Sequence, residues 1–491
     1  MAAEHRFLAL DLGAESGRGE LVTLAGGKVT MEEIHRFPNR PVRLAGTRYW
    51  DFPSLFAEII ATLKICARRG EKLSGISVDT WGVDFGLLDR DGRLLSNPVQ
   101  YRDSRTEGIH AYSDPIMSRD EIFAATAYEP WAIASLFQLL AMQRDRSPLL
   151  EMAQTFLNMP DLVLYFLTGA KASEMSILNT SCLMGTDCRW AGEVLHRFRL
   201  NERMFCRIVP PGTVLGTLSP EVAAEVGGLG EVPVIATCGH DTSAAVAAIP
   251  GEGSDWAFLS CGTWSILGCL MDTPVATPRC LQLGFTNEYT FGGWYLARNI
   301  SGLWLVQQLK AKWDHSADPW DYNRMTAAAS QAAGGTLVDV ADETFHAPLD
   351  MEKALRDSIA RSGQAAPSDR GQLVRCVLES LALEYACRMD SVAELTGRRM
   401  GRLYMVGGGT ANKLLCQLTA DACGVSVFAG ADQCTALGNA LVQAVAVGAL
   451  KDRSEIQQVM RDSFKLTEYR PRDKALWADK RAAYEKIRGR K

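Results

Sequence analysis

No apolar stretch in this 491-residue chain reaches the roughly 18 residues of a membrane-spanning helix, so membrane insertion is not expected. No C-x-x-C pair occurs either. The 13 cysteines are odd in number and scattered, and the nearest two, Cys182 and Cys188, are too far apart for a zinc knuckle and have no histidine pair beside them. They are expected to be reduced and mostly buried as small hydrophobes. Seven dispersed histidines argue against a histidine-rich metal site. Apart from the tail KIRGRK there is no basic run, and with a net charge of −5 and a pI near 5.9 neither nucleic acid nor an anionic membrane is an expected principal partner. The N-terminus MAAEHRFLALDLG meets an acid too soon to build a signal-peptide core, so the expected location is the cytoplasm.

What is present is the composition of a soluble globular protein, 47% hydrophobic and 22% charged, long enough for two large domains. The first 100 residues read as strands separated by turns: RFLALDL, RGELVTL, a turn at Gly26 and Gly27, KVTMEEIHRF, and SGISVDTWGVDFGLLDRDGRLL with a hairpin turn at Asp91 and Gly92. Between them PSLFAEIIATLKICARRG spaces Leu55, Ile59, Leu63 and Cys66 at helical intervals and stops at Gly70. Strands with a crossover helix predict an α/β domain. Residues 119–205 read as mainly helical, with SLFQLLAMQ and MPDLVLYFLTG the clearest segments. VPVIATCGHDTSAAVAAIPGEGSDW then gives a buried strand, a polar turn, a helix of small residues and, at 250–254, the Pro/Gly-rich stretch expected to divide the domains. After it, DWAFLSCGTWSILGCL echoes the opening strand, small-residue turn and strand, as a duplicated ancestral domain would. Residues 371–396 predict a long helix with Leu373, Val377, Leu381, Ala382, Tyr385, Met389 and Val392 on one face. GRLYMVGGGTANKLLCQLTADACG reads as strand, glycine turn and helix ended by Gly424, and the C-terminal stretch as polar helices packed on the outside.

Three glycine turns and an aspartate sit where predicted strands end, the place open α/β sheets offer to ligands. In FLALDLGAESGRGELV, Gly13 and Gly17 are expected to allow positive φ and to let backbone N–H groups approach an oxyanion. An aspartate there repels phosphate unless a cation intervenes, so Asp11 suits water-mediated Mg²⁺ and Arg18 a transferring phosphate; the other reading is an ordinary hairpin with Asp11 bonded to turn amides. CGTWS offers Gly262 and the Thr263 hydroxyl as a phosphate cradle or as a structural hairpin. VGGGTAN, without the spacing of G-x-G-x-x-G or a following G-K-[ST], is either bare backbone for a planar or phosphorylated group or a plain helix-start turn. In GHDTS, Asp241 either caps a helix or is a general base taking a hydroxyl proton during phosphoryl transfer. Together these turns describe a nucleotide held between two related lobes, whose closure favours transfer to a sugar over hydrolysis.

From Leu10 to about Gly448 the chain resembles the FGGY family of carbohydrate kinases. The resemblance is carried by DLGAESGR, EIHRFPN, DTWGVDFGLLD, YRDSRT, CGHDTSAAV, CGTWSILG, NISGLWLVQQ, ESLALEYACRM, VGGGTANKLLCQLTADACG and TALGNA. It implies an α/β, two-lobed actin-like ATPase (ribonuclease H-like) fold with a mixed sheet and flanking helices in each lobe: residues 1–248 as the sugar-binding lobe and 249–491 as the nucleotide-binding lobe. It implies ATP and Mg²⁺ as cofactors, a small-molecule ketose as substrate, and a monomer or homodimer. Carried over by position, it makes Asp241 the proton acceptor and gives the sugar to Gly82, His240, Asp241, Thr242 and Asn299. ATP falls to Ala14, Glu15, Ser16, Gly17, Arg18, Thr263, Gln307 and Gly408, and Asp11 becomes the Mg²⁺-associated aspartate. DTWGVDF, YRDSRT and NISGLW are more similar to members acting on L-rhamnulose than to glycerol or xylulose kinases. The expected reaction is therefore ATP-dependent phosphorylation of L-rhamnulose to L-rhamnulose 1-phosphate in L-rhamnose degradation. Kinases for L-fuculose, L-xylulose or L-ribulose are the alternatives, with an actin-like ATPase lacking a sugar acceptor behind them.

The residues agree with these roles. Gly82, between Trp81 and Val83, leaves room for a sugar against the backbone, and the Asn299 amide pairs with hydroxyls as donor and acceptor, unless it is a turn-former before a helix at 301–312. His240 reads as a sugar contact or a structural histidine, Gln307 as a nucleotide contact or a solvated side chain. Trp81, Tyr101 and Asp103 are further pocket candidates. Two departures from the pattern of the members acting on L-rhamnulose stand out: Ala134 and Ser135 precede LFQ where an Asn-Thr pair before LYQ is usual, and Ala411 stands where Gln is common. Hydroxyl recognition is expected to differ there.

Overall fold

The apolar run Phe7 to Leu12 is buried on both faces, as the central strand of a covered sheet must be. In this computed structural model, which describes residues 4–431 and 433–488, that run is β1 (His5–Leu12). It pairs antiparallel with β2 (Ser16–Ala25), which pairs antiparallel with β3 (Lys28–Pro38). On its other side β1 lies parallel to β4 (Leu73–Thr80). With β5 (Thr213–Thr217) and β6 (Pro233–Ala236) the order is β5-β6-β4-β1-β2-β3, β4 and β6 being parallel. Between β3 and β4 runs α1 (Phe52–Arg69), capped by the Asp51 carboxylate on the Ser54 N–H and closed by Gly70 at φ 68°. Its Leu55, Ile59 and Leu63 pack on Leu8, Leu10 and Val78.

A second sheet repeats this plan. β7 (Trp256–Cys261) pairs antiparallel with β8 (Trp264–Met271) and parallel with β10 (Arg402–Val406), and β10 is parallel to β11 (Ser426–Ala429). With β9 (Gly293–Ser301) beside β8 the order is β9-β8-β7-β10-β11, matching β3-β2-β1-β4-β6, so the echo at DWAFLSCGTWSILGCL is a repeat of topology. An edge strand, β12 (Thr467–Tyr469), adds antiparallel to β11.

The chain forms two compact units that interleave in sequence. One runs to Pro250 and includes Met271–Leu296 and Gln433–Ser463; the other comprises Gly251–Leu270, the stretch from Ala297 and that from Phe464. Within the second, α3 (Trp304–Asp314) follows β9, and α4 (Arg370–Thr396) is buried on nearly every side rather than on one face, because the helices Tyr322–Gln331, Lys413–Cys423 and Lys474–Arg488 all pack against it. Glu384 accepts from Tyr484 at 3.1 Å and from Arg388, and Trp477 is buried too. The C-terminal stretch is therefore not merely an outer polar layer. It supplies β12 and part of the cover of α4. No helix among the described residues is long and apolar enough to cross a membrane. All 13 cysteines are free, and all but Cys188, Cys206 and Cys423 are buried.

Within the first unit, α2 (Asp241–Ala247) lies against α6 (Cys434–Ala446), whose place in chain order follows α5 (Lys413–Cys423). The two helices touch at Gly438, where a Cβ would lie 1.8 Å from the Ala244 carbonyl oxygen. Backbone cannot yield as a side chain can. Gly438→Ala is expected to destabilise the protein by about 1–3 kcal/mol and to displace α2. Thermal unfolding checks this, and an unchanged melting temperature contradicts it.

Candidate active site

At the carboxyl ends of β1 and β4, Asp11 and Asp79 are register partners. Arg18, opposite Asp11 on β2, grips its Oδ2 through Nε at 3.0 Å and Nη2 at 2.9 Å. Asp79 is fully buried; its Oδ2 accepts from Asn439 Nδ2 at 2.7 Å, and its Oδ1 has no partner. Asn439 is itself tied to Gln443, whose amide also donates to the Leu8 carbonyl at 3.0 Å, so α6 holds both strands. Burial raises the pKa of both aspartates; Arg18 opposes this at Asp11 while Asp241 adds to it, and at Asp79 the charge of Asp11 adds to it. Arg18 thus pairs with Asp11 and, at 4.0 Å, with Glu20.

Gly13 and Gly17 do not have the positive φ expected of them. Close packing explains the second: a Cβ on Gly17 would come within 2.2 Å of the Phe37 ring. The turn they flank, carrying Ala14, Glu15 and Ser16, is closed by the Gly13 N–H on the Ser16 carbonyl at 2.9 Å and tied to Asn39, whose Nδ2 donates to the Gly13 carbonyl.

After β4 the chain turns through Trp81, Gly82 and Val83 into Asp84. Val83 has φ 70°, a costly conformation for a β-branched residue, about 1–3 kcal/mol. Three side chains hold it there: its N–H donates to Thr180 Oγ1 at 2.9 Å, and its carbonyl accepts from Ser135 Oγ at 2.6 Å and Gln138 Nε2 at 3.1 Å. The Ser135 hydroxyl is therefore committed to the backbone here. Beside it, the room expected at Gly82 is limited by Thr180, 3.2 Å from where a Cβ would stand. The buried Asp84 accepts from Trp50 Nε1 (2.6 Å), Trp81 Nε1 (3.0 Å), the Tyr101 N–H (3.2 Å) and Gln138 Nε2 (3.0 Å). Asp103 turns inward, its oxygens accepting the Arg105 and Arg48 backbone N–H groups.

His240 precedes the first turn of α2 and is clamped between carboxylates: Nδ1 is 3.0 Å from Glu288 Oε2 and Nε2 is 3.4 Å from Asp241 Oδ1. Burial disfavours its charge, but Glu288, Asp241 and Glu174 outweigh that and its pKa is raised. Glu288 is fixed by the Tyr295 hydroxyl at 2.6 Å, and Glu174 by the Gly239 N–H at 2.9 Å. Asp241 is the first helical residue, not the cap. Its Oδ1 accepts from the N–H and hydroxyl of Thr242 (2.5 and 3.1 Å), and its side chain is 35% exposed. Gly82, His240, Asp241 and Thr242 all lie in this unit; Asn299 lies in the other, within β9 rather than at a turn before a helix.

The second unit contains a cavity of about 380 Å³, in the range of small-molecule sites. Its wall brings together Gly262, Thr263, Gln307 and Gly408, with an apolar side formed by Leu303, Val306, Met325 and Val374. Ala411 and Asn412 line it too, and Asn412 caps α5 through the Leu415 N–H at 3.0 Å.

Residues 6–248 match the N-terminal domain of the FGGY family of carbohydrate kinases, and residues 257–447 match its C-terminal domain. The chain belongs to that family. It is 41% identical over 476 residues to a rhamnulokinase of Bacteroides thetaiotaomicron, covering 96% of this chain and 97% of that protein. To one of Oceanobacillus iheyensis it is 33% identical over 467 residues, covering 94% and 97%. Among solved structures, the Plasmodium falciparum glycerol kinase with ADP superposes with a TM-score of 0.82 at 16% identity (99% of this chain, 98% of that one), and a gluconate kinase from Lactobacillus acidophilus with 0.82 at 17% (99% and 98%). The FGGY chain has their two-domain, actin-like α/β fold.

Sequence reasoning about this FGGY kinase missed Asp79, Asp84, Gln138, Glu174, Glu288 and Asn439. Asp79 and Asp84 sat in the quoted motif DTWGVDF, and apolar neighbours on both sides were the available signal of burial. Burial lifts Asp84 to about 6 against the pull of its four donors. An aspartate in the unfolded chain titrates near 3.9, so between about pH 4 and 6 the folded form holds the extra proton. The stability this group confers is present at low pH and falls by about 3 kcal/mol as pH rises through that window. Relative to Asp84→Asn, the wild type should lose stability across it in denaturant titrations; a difference independent of pH contradicts the assignment.

Proposed function

We propose that this chain transfers the γ-phosphoryl group of ATP to the 1-hydroxyl of L-rhamnulose, giving L-rhamnulose 1-phosphate and ADP. The observation that carries the reading is Asp241: a partly exposed carboxylate at the start of α2, held by Thr242 and by the His240–Glu288 pair. The rhamnulokinase name of a relative 41% identical over 96% of the chain supplies the sugar. In this reading Asp241 takes the proton of the primary hydroxyl as its oxygen bonds to phosphorus and the bond to the ADP oxygen breaks. Gly82, His240, Thr242 and Asn299 are the residues assigned to the ketose. The base and ribose of ATP take the cavity of Gly262, Thr263, Gln307 and Gly408; the turn from Ala14 to Arg18, including Ser16 and Gly17, faces phosphate.

Asp11 and the unpartnered Oδ1 of the buried Asp79 are the oxygen donors at this sheet end that suit a hard divalent cation. In this reading Asp11 would reach a hydrated Mg²⁺ through water, since the ion prefers oxygen ligands and keeps most of its waters. Bound there, the ion neutralises charge on the transferring phosphoryl group. Such an enzyme works where ATP is, in the cytoplasm, and a monomer or homodimer suffices.

An assay coupled to ADP release, run over L-rhamnulose, L-fuculose, L-xylulose and L-ribulose with and without Mg²⁺, tests this. L-rhamnulose should give the highest kcat/KM, and omission of Mg²⁺ should abolish turnover. A faster rival reassigns the sugar, and ADP release indifferent to sugar removes the kinase reading. Asp241→Asn is expected to lower kcat by about 10²–10⁴-fold with KM for the sugar little changed. Near wild-type turnover in that variant excludes Asp241 as the base.

A further inference from the structure

His240 stands between Asp241 and a more deeply buried acid. Glu288, on the strand Thr286–Thr290, has a side chain only 6% exposed, and its Oε2 accepts the Tyr295 hydroxyl at 2.6 Å and faces His240 Nδ1 at 3.0 Å. The other ring nitrogen, Nε2, faces Asp241 Oδ1 at 3.4 Å. An ionised carboxylate only accepts, so both contacts are attractive only when both ring nitrogens donate, and an imidazole that donates twice is an imidazolium. The surroundings favour that charge. Burial disfavours it, but Glu288, Asp241 and Glu174 together outweigh burial and hold the pKa of His240 above its usual value. The remaining polar neighbour is the Ser243 hydroxyl, 3.4 Å from Nδ1 and 3.1 Å from the Tyr295 hydroxyl. All of these residues belong to the first unit.

The two oxygens of Asp241 are thereby made unlike. Oδ1 meets three donors, the Thr242 N–H at 2.5 Å, the Thr242 hydroxyl at 3.1 Å and the imidazolium at 3.4 Å, whereas no described residue donates to Oδ2. With the lone pairs of Oδ1 engaged, an arriving proton finds free lone pairs on Oδ2. The same donors hold the carboxylate plane in place, which is the geometric requirement on a base.

We propose that Glu288 is a positioning residue for phosphoryl transfer: through an imidazolium at His240 it fixes Asp241 Oδ1 and leaves Oδ2 as the oxygen that takes the hydroxyl proton. The inference rests on the reading of Asp241 as the base. In the step, the O–H bond of the sugar breaks, its proton passes to Oδ2, and its oxygen bonds to phosphorus as the bond to the ADP oxygen breaks. His240 keeps both of its protons throughout. Nitrogen NMR of the full chain with labelled histidines, without nucleotide or sugar, tests the first half, the His240 signal being the one lost in His240→Gln. In the wild type both ring nitrogens should stay protonated above pH of about 6.5, the ordinary histidine midpoint. Glu288→Gln should weaken proton binding at His240 about tenfold or more, Asp241→Asn should weaken it too, and Glu288→Asp, which keeps the charge, should restore most of it. In turnover, Glu288→Gln should lower kcat more than it raises the KM for the sugar, and the loss should grow as pH rises and the less supported imidazolium gives up its proton. A wild-type His240 already neutral at pH of about 6.5, a midpoint unmoved by Glu288→Gln, or a kcat loss independent of pH overturns the proposal. The wild-type and Asp241→Asn titrations decide the charge of His240 even where Glu288→Gln does not fold. NMR reads that charge whether or not a sugar is phosphorylated, so its failure is distinct from failure of the kinase reading.

Discussion

The carboxylate of Asp84 takes N–H donors from four separate segments of the first unit: Trp50, Trp81, the Tyr101 backbone and Gln138. Around it the two indoles pack 4.2 Å apart, and Gln138 reaches on to the Val83 carbonyl. The strained Val83 is thus held by a network that has its anchor in a buried charge. A buried ion is costly alone, and four donors make it tolerable. Because the strain at Val83 sets the path of the chain between β4 and the Phe85–Leu88 strand, the orientation of Gly82 and Trp81 is inherited from Asp84.

Much of the fold was legible because period and punctuation agree. Leu55, Ile59, Leu63 and Cys66 mark α1, and Gly70 and Gly424 end helices by adopting left-handed conformations, as expected. The antiparallel openings of both sheets were visible as strand, small turn, strand. Less visible was where a helix goes. The apolar pattern of α6 is the same whichever unit it packs on, and Gly438, Asn439 and Gln443, meeting Ala244, Asp79 and Leu8, are specific contacts that tie it to the first. The apolar spacing of α4 marks one face only, whereas its charged residues are buried in pairs as well: Glu379 with Arg375 and Lys480, Glu384 with Arg388 and Tyr484.

The site shows the same division. Residues on glycine turns and at strand ends could be found, since turns need special residues and sheets offer ligands their carboxyl ends. The supports could not. Glu174 and Glu288 come from segments far from GHDTS in sequence, yet they fasten Gly239 and His240, and so bear on the setting of Asp241. A buried acid with remote partners leaves no periodic trace.

Glycines separate what the fold requires from what a ligand requires. Gly407 has φ 85°, which its own conformation explains, and a Cβ on Gly409 would come within 2.3 Å of the Cys261 sulfur, which packing explains. Gly408 has neither excuse: its φ is ordinary and a Cβ there would meet nothing within 4 Å. It is also exposed and on the wall of the cavity. Reading that cavity as a nucleotide site supplies the missing reason, since a bare backbone at the wall leaves its space to the ligand. A side chain at Gly408 would cost the fold nothing and the occupant of the cavity its room.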